Sequence, residues 1–307
     1  MTYPSQPTPK ALKGTRILSL CLNLPGPAAL MRCHAMGATC VKLAPPSGDP
    51  MQAYCAPAFA RLHVGVRQVE ADLKTAAGQK RLHRELAKAD VLLTSFRPSA
   101  LNKLGLSWKA LHASYPTLHQ IAIVGAPGAR AEEPGHDLTY LAENDLVSGL
   151  QLPPSLYADM GGSLLVTEAV LQSVVQRQQQ LIKGLDAGAI KGRYVEIALS
   201  DAAQYLALPR TWGLTRPGAD VGGGHAGYRV YACKDGRVAL AALEPHFAAA
   251  LCAVAALPVP ASVAQCAALM RSAPTHRALE QWFSGKTCAQ LERLASRHDI
   301  PLHTLKD

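Results

Sequence analysis

The sequence predicts an α/β protein built on a parallel sheet, with a smaller α+β unit after it. Three observations carry this expectation. Short strand-like runs alternate with helical segments from residue 16 to residue 124. A strand, a glycine- and proline-bearing connection, a helix and a second strand fit within residues 16–43, as a βαβ unit requires. A composition shift at residues 217–227 (PGADVGGGHAG) then separates this alternation from a hairpin and a helical remainder. The boundary is therefore expected to divide a large domain, residues 1–216, from a small one, residues 217–307.

Each element has a local reason. Residues 16–20 (RILSL) read as a buried strand, the PGP at 25–27 as punctuation, 28–36 as a helix stopped by Gly37, and 39–43 (TCVKL) as a second strand. Residues 68–73 and 90–94 (DVLLT) read as strands around an amphipathic helix at 75–89. Short helical pieces at 102–106 and 108–114 precede a strand at 118–124. Residues 138–149 have helical spacing, and 161–183 form the longest helical pattern, with leucines and valines as its apolar stripe. A strand at 193–199 follows, and Ser200 and Asp201 are placed to cap the next helix. Beyond the boundary, 228–232 and 238–243 flank Lys234, Asp235 and Gly236 as a hairpin. Helices are expected at 245–257, 264–271 and 287–297, before a last apolar piece at 300–305.

Composition narrows the function. With 49% hydrophobic and 17% charged residues among 307, the chain can bury a large core and is not a disordered polymer. Aromatics at 5% leave alanine, leucine and valine to fill that core. Lysine and arginine exceed aspartate and glutamate by nine charges, which favours an anionic ligand. The basic residues are scattered without a nucleic-acid signature, so nucleic acid is not an expected partner. The eight cysteines form no CxxC and no zinc spacing, so no metal is expected and a reducing compartment is. With neither an apolar leader nor a spanning run, the expectation is a cytoplasmic protein without a membrane partner. GxGxxG and GxxxxGK[ST] are both absent, so no dinucleotide or P-loop cofactor is expected.

The chemistry concentrates in residues 135–163 (GHDLTYLAENDLVSGLQLPPSLYADMGGS). His136 and Asp159 flank a proline-bearing loop, and an imidazole and a carboxyl so placed can take a proton from one face of a carbon and return one to the other. Plainer readings stand beside this one: His136 as a loop histidine, Asp159 as a helix cap, and Glu244 before Pro245 as a helix N-terminal carboxylate.

Eight blocks in order carry a resemblance to a known family: GTRILSL at 14–20, PGPAALM at 25–31, AMGATCVKL at 35–43, ADLKTAAGQ at 71–79, DVLLTSFRPSALNKLGL at 90–106, GHDLTYLA at 135–142, ADMGG at 158–162 and YACKDGRVALAALEPHF at 231–247. The chain resembles the family III CoA-transferases of the CaiB/BaiF type, and within them looks most like the α-methylacyl-CoA racemases. The resemblance implies a Rossmann-like large domain with a smaller companion and an interlocked homodimer. It implies no permanently bound cofactor, coenzyme A arriving as part of an acyl-CoA substrate. It further implies α-proton transfer on a 2-methylacyl-CoA, with His136 and Asp159 as the acid/base pair and Glu244 orienting the histidine. The backbone amides of Met160, Gly161 and Gly162, if they open the long helix, are expected to hold the enolate oxygen. Lys42, Arg67, Arg97, Asp137 and Tyr140 are the expected coenzyme A contacts.

Two alternatives follow from the same likeness: a CoA-transferase forming a thioester on Asp159, or a retuned or non-catalytic member with weakened CoA binding. The second is motivated by departures from the family pattern. Leu43-Ala44-Pro45-Pro46 lacks the arginine the family places before its proline, and residues 62–67 (LHVGVR) replace a more basic run. The loop between His136 and Asp159 is shorter than in the racemases, and the family's returning C-terminal segment is not expected in this chain.

Overall fold

The structure, a computed structural model, describes residues 9–305. Two compact units divide the chain between Ala207 and Leu208.

The first unit is a doubly wound α/β sandwich. Its strands are β1 (Arg16–Ser19), β2 (Thr39–Ala44), β3 (Arg67–Glu70), β4 (Val91–Thr94), β5 (His119–Val124) and β6 (Tyr194–Ala198). They form one sheet in the order β3-β2-β1-β4-β5-β6, every neighbouring pair parallel. The helices are α1 (Pro25–Ala35), α2 (Pro50–Tyr54), α3 (Ala56–Leu62), α4 (Ala76–Leu86), α5 (Pro98–Lys103), α6 (Trp108–Ser114), α7 (Asp137–Glu143), α8 (Tyr157–Ile182) and α9 (Leu199–Leu206). Alternation along the strands feeds two cores. Ile17, Cys40, Leu93, Ile121 and Ile123 pack with Leu30 and Cys33 of α1 and Val166 and Val170 of α8. Leu18, Val41, Leu43, Val69 and Leu92 face the other way, onto Leu82 and Leu86 of α4, Leu101 of α5 and Leu111 of α6. Both faces being covered explains why these strands read as nearly continuous apolar runs.

Several boundaries differ from expectation for local reasons. The PGP at 25–27 opens α1, because proline suits a first helical turn whose N–H groups lack partners in any case. Residues 50–62, unassigned from sequence, form α2 and α3, each with proline in its first turn. Helix α9 starts at Leu199 with Ala198 as its cap, so Ser200 and Asp201 lie inside it. In α8 the buried positions are Ala158, Gly162, Ser163, Val166, Thr167, Ala169, Val170 and Ser173, whereas Leu164 and Leu181 are exposed. The buried stripe is thus made of small residues, because α8 packs closely on its neighbours and bulk there would force the helices apart.

The second unit opens with α10 (Leu208–Thr211). Strands β7 (Tyr228–Cys233) and β8 (Gly236–Ala241) form the expected antiparallel hairpin, with Lys234 and Asp235 as a two-residue turn. Helices α11 (Pro245–Val254), α12 (Val263–Met270), α13 (Ala273–Ser284) and α14 (Cys288–His298) follow, and β9 (Leu302–Leu305) returns as a third strand antiparallel to β8. The core is built on Tyr231, Val238, Leu251, Phe283 and Leu291, with Tyr231 stacked on Phe283 at 4.6 Å. Helix α13 went unrecognised in the sequence because only Thr275, Leu279 and Phe283 of its twelve residues are buried, leaving a thin apolar stripe.

Candidate active site

The strand order of the first unit reverses between β1 and β4. In a doubly wound sheet the crevice beyond the carboxyl ends of the strands at such a point receives ligand. A cleft of about 210 Å³ opens there, lined by Asn23 after β1, Ser95 and Arg97 after β4, Gly125 after β5, and His136, Tyr140 and Asp159. The crossover from β5 to β6 therefore brings both expected acid/base residues to one cleft.

His136 is the N-cap of α7, in extended backbone, with its imidazole on an exposed residue. Its N–H donates to Thr139 Oγ1 at 3.1 Å, and the Thr139 hydroxyl donates to the His136 carbonyl at 2.7 Å, which fixes the turn the ring projects from. The neighbouring Asp137 is buried, and its Oδ1 accepts the N–H of Asp159 at 2.9 Å. That N–H belongs to the first turn of α8, where a helix has no internal acceptor, so Asp137 caps α8 from another element. Asp159 is half-buried, and burial first, then the like charge of Asp137, pushes its carboxyl from 3.8 up to about 7. Tyr140 is buried, and its hydroxyl occupies the space where side chains at Gly125 and Gly135 would have begun, 2.3 and 2.4 Å away. Burial, then the charge of Asp159, raises the Tyr140 phenol.

The expected enolate-binding amides require correction. Helix α8 begins at Tyr157, four residues before Gly161, and the Met160 N–H already donates to the Leu156 carbonyl at 3.0 Å. Gly161 and Gly162 lie inside the helix and serve packing: a Cβ on Gly162 would fall 2.4 Å from Leu199 Cδ2, and one on Gly161 would fall 3.1 Å from Leu206 Cδ1. The glycine pair lets α9 approach the helix that carries Asp159.

The expected coenzyme A contacts separate. Arg97 and Tyr140 line the cleft, and Asp137 stands behind it as a cap. Lys42 is 0% exposed and ion-paired with Asp49, because its place in β2 turns it into the interior. Arg67 stands at the amino end of β3, away from the crevice end of the sheet, and pairs with Glu85 of α4. Glu244 is exposed at the N-cap of α11 in the second unit.

Asn23 was missed from the sequence. It sits in left-handed backbone with φ of 63°, its N–H donates to Asp49 Oδ1 at 2.9 Å, and its own Oδ1 is buried without a partner among the described residues. An asparagine just before a proline-led helix was the available signal, since asparagine tolerates this backbone better than most residues. The buried Lys42–Asp49 pair thus shapes the cleft wall from behind.

Fold and crevice define a doubly wound α/β protein with a cleft at the switch point of its sheet. The comparisons with known proteins make that class specific. The sequence model of CoA-transferase family III matches residues 12–307, and the chain belongs to that family. It is 29% identical over 250 residues to the human alpha-methylacyl-CoA racemase, covering 77% of this chain and 63% of that protein. It is 32% identical over 167 residues to the cinnamoyl-CoA:phenyllactate CoA-transferase of Clostridium sporogenes, covering 48% of this chain and 40% of that one. The chain therefore matches less than two thirds of the length of either relative. The crystal structure of the Mycobacterium tuberculosis hypothetical protein Rv3272 superposes with a TM-score of 0.81 over 97% of this chain and 86% of that one, at 22% identity, a likeness of fold. Among the described residues no helix is long and apolar enough to cross a membrane.

Proposed function

We propose that this chain is a cytoplasmic acyl-CoA enzyme that moves the proton α to a thioester carbonyl, as a racemase or epimerase of a 2-methylacyl-CoA. The observation that carries the reading is a half-buried carboxyl, pushed up to about 7, that lines the same cleft as an imidazole. A carboxyl with a pKa of about 7 is protonated in a large share of molecules at neutral pH and suits a general acid, whereas a nucleophile works ionised.

In this reading the unprotonated His136 imidazole takes the α proton and the electron pair moves into the thioester as an enolate. The Asp159 carboxyl returns a proton to the opposite face, leaving His136 protonated and Asp159 ionised. The other enantiomer uses the pair in reverse. Arg97, which lines the same cleft, is assigned contact with the anionic coenzyme A moiety. A homodimer belongs to the proposal, supported by the exposure of Leu164 and Leu181 on α8. Light scattering on the purified chain tests it, a monomer counting against it.

The decisive experiment is α-proton exchange. With a 2-methylacyl-CoA in D₂O, the wild-type chain is expected to wash deuterium into the α position, and His136→Ala or Asp159→Asn to stop it. A chain that instead forms a hydroxylamine-trappable thioester on Asp159, and does so unchanged by His136→Ala, is a CoA-transferase of the kind represented by the Clostridium relative. Calorimetric titration with coenzyme A separates both enzymes from a family member that no longer binds it.

A further inference from the structure

The eight cysteines suggested no metal in sequence, yet the second unit brings two of them together across 55 residues of chain. Cys233 ends β7, Asp235 is the second residue of the hairpin turn, and Cys288 is the first residue of α14. The sulfurs of Cys233 and Cys288 lie 3.5 Å apart. One ligand atom from each of the three residues can be chosen so that all lie within 4.8 Å of one another.

We propose that Cys233, Asp235 and Cys288 form a binding site for a thiophilic divalent cation of the zinc type, a water completing the four-coordinate shell. Zinc bonds thiolate at about 2.3 Å and carboxylate at about 2.0–2.2 Å, so a tetrahedral shell sets its sulfurs about 3.8 Å apart and sulfur and oxygen about 3.6 Å apart. The two sulfurs, 3.5 Å apart, and Cys233 Sγ with Asp235 Oδ1, 3.9 Å apart, each lie within about 0.3 Å of these spacings. Two sulfurs with one oxygen favour zinc, cadmium or cobalt and disfavour magnesium and calcium, which take oxygen shells.

The surroundings are those of a held site. The Cys288 N–H donates to Asp235 Oδ1 at 2.7 Å, which ties the turn to the start of α14 before any ion arrives. Cys288 is buried while Cys233 is half-buried and Asp235 exposed, so an ion can enter from solvent on the carboxylate side. Binding exchanges the two thiol protons for the cation, with no change of oxidation state. The ion would pin the hairpin to α14, a structural task separate from proton transfer in the first unit, so the test does not depend on that reading.

The experiment is a cobalt titration of the full chain, reduced, stripped with chelator and kept anaerobic. The expected result is a near-ultraviolet thiolate-to-cobalt absorption saturating at one ion per chain and displaced by zinc. Cys233→Ser is expected to abolish the band, Asp235→Asn to weaken binding at least about tenfold, and Cys55→Ser, an exposed cysteine elsewhere, to leave it intact. Cys233 is the preferred variant because it is less buried than Cys288, and circular dichroism reports whether the variant folds. Zinc is also expected to raise the unfolding temperature of the wild type and not of Cys233→Ser. Absence of the band, or its survival in Cys233→Ser, overturns the proposal. So does a wild-type chain that holds Cys233 and Cys288 as a disulfide under these reducing conditions.

Discussion

Replacing Asp159 by asparagine is expected to stabilise the first unit at pH 8 and to leave its stability almost unchanged at pH 4. The folded carboxyl sits at about 7 against 3.8 for the free side chain, with burial the larger cause and Asp137 the smaller. A carboxyl whose folded pKa is raised binds its proton more tightly in the folded state. Its contribution to stability is therefore complete below the unfolded value near 3.8 and is lost as pH rises through about 7. The full separation corresponds to roughly 4 kcal/mol, and relaxation by water in the cleft brings the expected measurable part to about 2 kcal/mol. For a unit of this size that is about 4–8 °C in unfolding temperature. Asparagine keeps the shape and carries no charge, so its advantage should grow between pH 4 and 7 and then level off. Urea unfolding of wild type and Asp159→Asn across that range reads it directly. An advantage equal at both ends of the range, or a variant less stable throughout, would refute the reasoning.

Other outcomes follow from the same geometry. Gly162→Ala places a methyl 2.4 Å from Leu199 Cδ2 and is expected to cost about 1–3 kcal/mol, with Leu199→Ala restoring part of the loss; thermal unfolding of the single and double variants checks it. Lys42→Met leaves the Asp49 carboxylate buried without its cation and is expected to cost about 3–5 kcal/mol of stability, which urea unfolding measures. Arg97→Ala should instead weaken acyl-CoA binding by about 1.5–3 kcal/mol with little effect on unfolding. Asp137→Asn keeps an acceptor for the Asp159 N–H but removes the neighbouring charge. The Asp159 pKa should then fall part of the way from about 7, and the α-proton exchange profile should shift to lower pH.

What the sequence made legible was what repeats. Strand and helix alternation from β1 to β5 could be read because each strand is a short apolar run ended by a turn residue, and both faces of the sheet demand it. Helices α2, α3 and α13 escaped because each buries too few apolar residues to show a period. The placing of His136 and Asp159 on one cleft was anticipated from the motif, whereas the fates of Lys42 and Arg67 were not. A lysine in a strand reads as a surface charge until its register is known, and only the fold supplies Asp49 as its partner. The start of α8 was misread because the glycine pair looked like an opening, when the tight approach of α9 is what requires it. Asn23, Cys233 and Cys288 became informative only once distant segments were brought together.

The single hydrogen bond from the Asp159 amide to Asp137 closes a span of 22 residues at its base. The residue next to His136 is thereby fastened to Asp159 itself, so the spacing of the two groups is set at the neck of the loop and not along it. The exposed stretch at 148–152, with Leu150 fully exposed, can change its side chains while the neck and the buried Tyr140 and Leu141 of α7 stay as they are. Such an arrangement separates the part of the segment that sets the placing of the two side chains from the part that is free to vary in sequence.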